Sequence, residues 1–392
     1  MTSLHVKQAP WGVKSDLFSW YTRMRRESPV FVDPRSGVVS VFGYDDTQRV
    51  LSDYASFSSE RGVHNPSEEQ ALSASMISSD PPRHRRLRNL VTQAFTPRAV
   101  ARLEPRISAI ATDLLDRLRA RRYEQVDFIE EFAAPLPVIV IAELLGVPAE
   151  RRADFRRWSD TLVSNGGERG WASLADAQRE MSSFFGQMIA QRRAEPRDDL
   201  ISHLVEAEIG GQRLTPVELI GFCMLLLVAG NETTTNLLGN AILSVDEQPE
   251  AWERLRAAPQ DIPAAIEEVL RYLSPVQSMF RQARGEERLG DIVTHPGQPV
   301  IAWIGSANRD ETQFADADRF DISRAPNRHL AFGYGIHFCL GAPLARLEGR
   351  IALEALAQRA QAIRVAPDAR LDWLESTIVY GAKHLQVTIT PA

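Results

Sequence analysis

One of the two cysteines in the chain lies in a stretch with three glycines, AFGYGIHFCLGAP, at residues 331–343. Gly333, Gly335 and Gly341 allow the backbone to fold tightly around the Cys339 sulfur and to point N–H groups at it. A strongly helix-forming segment, APLARLEGRIALEALAQR, follows directly, so the cysteine lies at a helix N-terminus, where the helix dipole favours a thiolate. We therefore expect this sulfur to serve as a nucleophile, a redox partner or a metal ligand.

The rest of the chain offers Cys339 few partners for most thiolate chemistry. The simplest alternative is a buried structural cysteine, the usual fate of a free thiol. The sequence has no CxxC and no second cysteine or well-spaced histidine pair for a zinc site, and His337 is too near to be a co-ligand. The glycine spacing fails the G-x-G-x-x-G pattern at its last glycine, which argues against a phosphate-binding loop. A lone thiolate on a metal whose other ligands are not protein atoms indicates a haem iron.

A second candidate for chemistry is AGNETT, residues 229–234, within a long apolar segment. A carboxylate such as Glu232 is costly there unless it is hydrated or paired. Thr233 can donate its hydroxyl proton to the carbonyl of Ala229, four residues earlier, and so loosen the helix. Such a polar notch in an apolar wall suits dioxygen and one or two waters. The alternative is a Thr-rich helical turn with a solvent-facing glutamate.

FGYGIHFCLG fits the pattern F-x-x-G-x-H-x-C-x-G, and in this the chain resembles the cytochrome P450 superfamily of haem-thiolate monooxygenases. AGNETT is similar to the oxygen-activation motif of that family. The resemblance implies a bacterial-type soluble monooxygenase that holds haem b through Cys339 and uses dioxygen as co-substrate. Glu232 and Thr233 would then be the acid–alcohol pair that delivers protons. One oxygen atom would enter a lipophilic small molecule, by hydroxylation or epoxidation, and the other would leave as water.

The resemblance also implies contacts to the haem. The segment SDPPRHRRLR at 79–88 reads as a helix start with Asp80 as N-cap, and its His84 and Arg88 share one helical face. Taken alone, this segment is a solvated basic face. By resemblance, four cations bind the haem carboxylates through charge-assisted hydrogen bonds. These four are His84, Arg88, Arg281 and His329, and the further haem contacts are Ala229, Phe332, Gly333 and Gly341.

Two other features are expected to be structural. EEVLR at 267–271 is similar to the E-x-x-R motif of the family, in which Glu268 and Arg271 are buried with Arg319 as a third partner and support the cysteine loop. Without the resemblance it would be a surface ion pair worth a few tenths of a kcal/mol. Cys223, in the apolar FCMLLL run, is expected to fill the core.

Substrate and electron donor are less visible in the sequence. By resemblance, the substrate is contacted from residues 58–79, 164–171, 276–280 and 377–381 and from the long helix. The expected apolar contacts, Ile77, Val228, Met279 and Val379, suggest a lipophilic molecule such as a terpenoid, a steroid, a fatty acid or a macrolide-like natural product. No Rossmann fingerprint or flavin domain is evident. A separate ferredoxin or flavodoxin with its reductase is therefore expected, docking near Arg85, Arg86, Arg346 and Arg350.

Two other functions remain open from the sequence. One is a peroxygenase that uses hydrogen peroxide directly, although such members of the family generally lack the acid–alcohol pair seen at Glu232 and Thr233. The other is a non-catalytic haem sensor or ligand carrier, for which a proton-delivery pair would be unnecessary.

The elements that must position these residues are mostly helical. Periodicity predicts a helix at 97–122 and a buried one at 136–145, and short strands at 29–42, 299–304 and 377–389. Thr215, with Pro216 and Glu218 after it, predicts a capped helix of about thirty residues, or about 45 Å, that crosses the middle of the molecule. The fold class is therefore mainly α with minor β, as one domain over residues 1–392, with the long helix over the haem and the cysteine loop opposite.

Composition agrees with a globular chain. It has 44% hydrophobic and 24% charged residues, and a net charge of −6, which favours neither nucleic acid nor an anionic membrane surface. The first residues show no signal peptide, and the apolar run 219–230 is too short to span a bilayer. We therefore expect a cytoplasmic protein with no membrane or nucleic-acid partner.

Overall fold

The computed structural model describes residues 14–60, 68–120, 126–163, 170–367 and 369–392. Its helices are α1 (Lys14–Glu27), α2 (Tyr44–Ser52), α3 (Arg83–Ala94), α4 (Pro97–Ala101), α5 (Glu104–Ala120), α6 (Pro135–Leu144), α7 (Arg152–Val163), α8 (Gly170–Ala194), α9 (Leu200–Glu206), α10 (Pro216–Glu247), α11 (Pro249–Ala257), α12 (Ile262–Tyr272), α13 (Ile304–Ala307) and α14 (Ala342–Arg359). Its strands are β1 (Val30–Val32), β2 (Val39–Val41), β3 (Phe57–Ser58), β4 (Val126–Asp127), β5 (Met279–Ala283), β6 (Arg288–Leu289), β7 (Ile292–Val293), β8 (Pro299–Ala302), β9 (Ala360–Val365), β10 (Asp372–Trp373), β11 (Ala382–His384) and β12 (Gln386–Pro391). The fold is mainly helical, as the sequence predicts.

The 32-residue helix α10 is the central element of the core. Thr215 caps it: its hydroxyl accepts a hydrogen bond from the Glu218 N–H, and the Glu218 carboxylate accepts one from the Thr215 N–H. This reciprocal pair confirms the predicted capping box. α10 packs against α6, α7, α8, α12 and α14, because it is apolar on nearly every side and has to be covered.

Among the described residues, α10 is also the one helix that is long and apolar enough to cross a membrane by length and composition. However, 61% of its most apolar window is buried inside the molecule. That burial is typical of a core helix.

The described strands form four sheets. One sheet has the strand order β1-β2-β8-β5-β3, with β2 and β8 parallel and the other pairs antiparallel. A second sheet has the order β4-β12-β9, and β10 pairs with β11 and β6 with β7. The first hairpin confirms the prediction for 29–42, and its turn contains Gly37 at φ 70°. β5 carries Met279 and Arg281 towards the centre of the molecule.

Three local predictions from the sequence are wrong. The helix predicted over 97–122 is divided into α4 and α5. Pro105 has no N–H to donate a helical hydrogen bond to the residue four positions earlier, and its ring clashes with the preceding turn. Asp80 is not an N-cap: its carboxylate instead accepts hydrogen bonds from Ser58, Ser59 and Arg284. The strand predicted from 377 begins only at Ala382, and before it Val379 forms an isolated bridge to Val276.

Candidate active site

The Cys339 loop runs from Leu330 to the start of α14 and is closed by its own backbone. Gly333 donates to the Leu330 carbonyl over 2.8 Å, and Cys339 donates to the Phe332 carbonyl over 2.9 Å. Gly333 and Gly335 both adopt a φ of 73°, a conformation that favours glycine. At Gly335 a Cβ would also lie 2.7 Å from the Ser52 Cα, so a side chain would collide with α2.

The sulfur receives hydrogen bonds from the backbone N–H groups of Gly341 and Ala342, as expected at a helix N-terminus. Burial nevertheless dominates and raises the pKa of Cys339, although these N–H groups and the charges of Arg88 and Arg346 act in the opposite direction. The sequence-based expectation was therefore incomplete. The helix N-terminus and nearby arginines do not by themselves favour the thiolate over the buried thiol, and a cation beside the sulfur would have to complete the stabilisation.

Cys339 faces a large internal cavity. The cavity has a volume of about 1380 Å³ when the open solvent at its mouth is included, and it is lined by residues of the cysteine loop, α14 and α10. Thr233 lines it from α10. The Cys339 sulfur and the Thr233 side chain therefore line one shared space.

Of the acid–alcohol pair, Thr233 lines the cavity and Glu232 is buried in the protein interior. Thr233 donates its hydroxyl proton to the Ala229 carbonyl over 2.6 Å, which confirms the predicted hydrogen bond, and both residues line the cavity. Glu232 does not line the cavity; it is buried at 8% exposure, and one of its carboxylate oxygens lies 3.4 Å from the Asn236 Nδ2. The alternative of a solvent-facing glutamate does not hold in the structure.

Of the four cations expected at the haem carboxylates, His84, Arg88 and Arg281 line the cavity. His337 lines it as well, and its ring centroid lies 4.3 Å from that of His84. Among the described residues, the Nε2 atoms of these two histidines are buried and without a hydrogen-bond partner. Such orphaned donors point to an absent acceptor.

The positive charges of the two arginines disfavour protonation of the neighbouring histidines. Burial and then the charge of Arg88 lower the pKa of His84, and burial, Arg281 and His84 lower that of His337 to about 3. Both imidazoles are therefore neutral at pH 7 in the protein alone. An anionic group in the cavity would relieve this repulsion, because it would pair with the arginines and accept from the imidazoles.

His329 is placed elsewhere. Its Nε2 lies 3.1 Å from a carboxylate oxygen of Glu267, and its Nδ1 accepts from the Ala331 N–H. Arg346 completes this group with two hydrogen bonds of 2.7 Å to the same carboxylate. Burial alone would raise the pKa of Glu267, but the hydrogen bonds from Arg346 and His329 lower it to about 2. His329 thus stabilises the base of the cysteine loop and does not line the cavity.

His337 lines the cavity. The sequence alone indicates no role for it, since it is too near Cys339 to be a metal co-ligand. The available signal is its distance of two residues from Cys339, which keeps its side chain near the sulfur. His337 belongs to a short 3₁₀ turn, Gly335–His337, and its ring lines the cavity.

The apolar contacts predicted for a substrate agree in part with the cavity. Ile77 and Met279 line it, as do Phe332, Gly333 and Gly341, whereas Val228 and Val379 do not. The segment 164–171 lies largely outside the described residues, as do positions 61–67. Helical spacing from Thr233 along α10 identifies most of the α10 residues that line the cavity. These residues are Phe222, Leu225, Leu226, Ala229, Gly230, Thr233, Thr234 and Leu237.

The E-x-x-R pair is buried beneath the cysteine loop. Arg271 makes two hydrogen bonds, of 2.8 and 2.7 Å, to Glu268 and donates to the carbonyls of Asn308, Ala317 and Arg319. Arg319, predicted as the third partner, takes part only through its backbone carbonyl. The second guanidinium at Glu268 comes from Arg324, at 3.2 Å, because the chain turns back between residues 319 and 324.

Most of the predicted docking cations are engaged inside the protein. Arg86 pairs with Glu218, Arg346 with Glu267, and Arg350 with Glu104 and Glu354. Arg85 is exposed.

Comparison with known proteins agrees with this geometry. A sequence model of the family described as Cytochrome P450 matches residues 20–165 and 167–365. Cytochrome P450 109 of Bacillus spizizenii is 45% identical over 381 residues, covering 95% of this chain and 92% of that protein. Erythromycin C-12 hydroxylase of Saccharopolyspora erythraea is 41% identical over 381 residues, covering 95% and 94%. The crystal structure of CYP109E1 from Bacillus megaterium in complex with testosterone superposes with a TM-score of 0.88 at 42% identity, covering 95% and 97% of the two chains.

Proposed function

Since the chain belongs to the cytochrome P450 family and is a soluble haem monooxygenase of that family, we propose that it hydroxylates a neutral polycyclic lipophile of the steroid class. Electrons would come from a separate ferredoxin and its reductase, with a flavodoxin as the alternative donor, and the protein would work in the cytoplasm. The observation that carries the proposal is the cavity between Cys339 and Thr233, whose α10 wall is apolar apart from its threonines.

The residues around the cavity fit the haem that the family implies. Cys339 offers one sulfur as a ligand, and the two orphaned imidazoles and two arginines on the same cavity offer donors for two carboxylates. We propose haem b, held by Cys339, His84, Arg88, Arg281 and His337, with His337 in the place first predicted for His329. When bound, the haem supplies the redox chemistry by which dioxygen is reduced and one oxygen atom is inserted into the substrate.

The protein contributes proton delivery and a dry pocket. Thr233 holds its hydroxyl at the cavity surface, where it can exchange its bond to Ala229 for one to a bound water or to dioxygen. Glu232, directly behind it, can carry protons from outside the cavity. The apolar residues of α10 exclude bulk water, so that protons reach the reacting oxygen through these side chains.

The similarity to CYP109E1 supports a steroid, since that protein was crystallised with testosterone. The relative that hydroxylates erythromycin makes a macrolide the competing substrate. A steroid is rigid, neutral and almost wholly apolar, and it suits a wall whose side chains are Met279, Ile77 and the leucines and phenylalanine of α10. An apolar wall of this kind binds through surface burial, worth about 25 cal/mol per Å².

The proposal is tested by turnover. Testosterone should shift the haem spectrum on binding, and with a surrogate ferredoxin, reductase and NAD(P)H the wild type should form a product containing one added oxygen. Thr233→Ala should still bind haem and steroid, yet divert most reducing equivalents to hydrogen peroxide, since the hydroxyl that hands on protons is lost. Thr235→Ala, one helical position away from the cavity face, is the matched control and should retain coupling. No spectral shift and no product with any steroid would reject the substrate class, and wild-type coupling in Thr233→Ala would reject the proton route.

The assignment of His337 is tested by haem retention. His337→Ala should release haem to an acceptor such as apomyoglobin about tenfold faster than the wild type, because one charge-assisted hydrogen bond worth about 1.5 kcal/mol is lost. His329→Ala is the matched control and should change the release rate less than about twofold. The assignment is refuted if His329→Ala releases haem about tenfold faster and His337→Ala releases it at nearly the wild-type rate.

A further inference from the structure

The central helix α10 contains three glycines, Gly221, Gly230 and Gly239. Glycine inside a helix is unfavourable compared with alanine, because it loses more backbone freedom on folding. A Cβ at Gly230 or Gly239 would meet only isoleucine side-chain atoms, which can rotate away. At Gly221 a Cβ would instead lie 2.1 Å from the backbone oxygen of Ala71. Gly221 is therefore a position where another part of the backbone lies directly against α10.

The backbone at this contact belongs to two short 3₁₀ helices, residues 68–78, which we call the 3₁₀ segment. Ala71 is fully buried there, and the backbone nitrogen of Ser75 would lie 3.5 Å from the same Cβ at position 221. The segment thus packs its main chain, and not only its side chains, on α10.

Arg83 of α3 fastens the 3₁₀ segment beside this contact. Its Nη2 donates to the Ala74 carbonyl over 3.0 Å, and its Nε lies 3.8 Å from a carboxylate oxygen of Glu218 in the first turn of α10. One guanidinium therefore links the segment to the same end of α10 that Gly221 occupies.

The 3₁₀ segment also contributes to the cavity. Met76 and Ile77 line it, and so does Phe222, the residue after Gly221 on α10. Gly221 is not among the lining residues. It can therefore influence the cavity only indirectly, through the position of the segment that packs on it.

A side chain at position 221 would displace this segment. Ordinary contacts of a Cβ are 3.4 Å or longer, so 2.1 Å is too short for any methyl group there. α10 is held by α6, α7, α8, α12 and α14, whereas 3₁₀ helices have weaker hydrogen-bond geometry than α-helices. We therefore expect the 3₁₀ segment to move, taking Met76 and Ile77 away from the cavity.

We propose that Gly221 is a positioning residue for substrate selection. By allowing the 3₁₀ segment to lie directly on α10, it holds Met76 and Ile77 at the cavity and restricts the cavity to compact ligands. This inference rests on the proposed function, and it places part of the choice between a steroid and a macrolide outside the cavity itself. A compact, rigid steroid keeps contact with these two side chains, whereas a wider macrolide ring needs the space that they occupy.

The proposal is tested by spectral titration of the ferric protein with two imidazoles of different size, which requires no turnover. 4-Phenylimidazole is the compact probe, and clotrimazole, with its three aryl rings, is the bulky one. In Gly221→Ala the affinity for clotrimazole relative to 4-phenylimidazole should rise about tenfold, because the bulky probe no longer has to displace the segment. Testosterone should bind about tenfold more weakly, as expected for the loss of roughly 50 Å² of apolar contact. A general loss of stability would weaken both imidazoles alike.

Two further variants isolate the contact. Gly186→Ala of α8 is the matched control, because a Cβ there would lie 3.8 Å from the Ile220 Cδ1, an ordinary contact, and its affinities should stay within about twofold of the wild type. Ile77→Ala should reproduce the gain for clotrimazole. Adding Gly221→Ala to it should change the ratio little further, because both substitutions act on the same part of the cavity.

Hydrogen exchange reports the displacement without any ligand. The Ser78 N–H donates to the Ser75 carbonyl and the Ser79 N–H to the Met76 carbonyl, each over 3.3 Å. Both amides should exchange faster in Gly221→Ala and at the wild-type rate in Gly186→Ala.

An unchanged ratio of the two imidazole affinities in Gly221→Ala overturns the proposal. Failure of that variant to bind haem also overturns it, since the contact would then serve the fold and not selection. A failed substrate proposal is distinguishable, because the wild type would then give no response to testosterone while the imidazole ratio still reports on Gly221.

Discussion

Replacing Cys339 with serine should abolish monooxygenase turnover and remove the strongly red-shifted Soret band of the ferrous carbonyl complex. The band reports a thiolate on iron, and among the described residues Cys339 is the only cysteine that lines the cavity. A serine hydroxyl is a far weaker ligand and a weaker electron donor. The cations that hold the haem carboxylates remain, so we expect haem to bind, with reduced affinity.

The other cysteine provides a matched control. Cys223 is fully buried within α10, and burial raises its pKa to about 12, so it remains a neutral thiol. Cys223→Ala should preserve the carbonyl spectrum and turnover, at a cost in stability of about 1 kcal/mol for the smaller side chain. A red-shifted band that survives Cys339→Ser, or that is lost in Cys223→Ala, would contradict the ligand assignment.

The largest expected effect on stability comes from Arg271→Ala. Arg271 and Glu268 are 0% and 1% exposed, and Arg271 also binds three backbone carbonyls beneath the cysteine loop. Removing the guanidinium leaves the buried Glu268 carboxylate with hydrogen bonds from Arg324, Asn327 and the Asp321 N–H only, and it removes a donor from each of those carbonyls. We expect a loss of about 3–5 kcal/mol in the free energy of unfolding. Much of the protein should consequently fail to retain haem.

Urea unfolding and the yield of the ferrous carbonyl complex measure this loss. Arg117→Ala is the matched control, since Arg117 and Asp113 form an exposed pair with side chains 72% and 61% exposed. That variant should change stability by less than about 1 kcal/mol. Arg271→Lys keeps the charge but cannot form the paired hydrogen bonds, and it should lie between the two. Equal stability of Arg271→Ala and Arg117→Ala would show that the buried network does not support the loop.

The elements predicted correctly are those whose determinants are close together in the sequence. α10 follows from a capping box of adjacent residues and an apolar run, and the Thr233 hydrogen bond follows from its spacing of four from Ala229. The 29–42 hairpin follows from alternating apolar residues around Gly37. Where local signals conflicted, prediction failed: periodicity favoured one helix across Pro105, and proline divided it.

Predictions that depended on the choice between similar side chains were less accurate. Asp80 has the chemistry of an N-cap, but its carboxylate is more strongly engaged by Ser58, Ser59 and Arg284, which come from remote segments. His329 directly precedes the cysteine loop and His337 lies within it. Glu267 of α12 binds His329, whereas His337 lines the cavity. Arg324 replaces Arg319 at Glu268 for the same reason, since chain reversal decides which guanidinium reaches the carboxylate.

The sequence by itself determined the class of chemistry, because a cysteine among glycines before a helix and a Glu–Thr pair in an apolar helix need only short-range geometry to be recognised. Only the tertiary structure decided which ionisable groups share the cavity. Glu348 looks like a helix-surface glutamate in LARLEGR, and it becomes a buried, protonated acid because α10 and α12 pack over it. Burial and charge pairing depend on contacts between segments far apart in the chain, and these contacts cannot be predicted from the spacing of neighbouring residues.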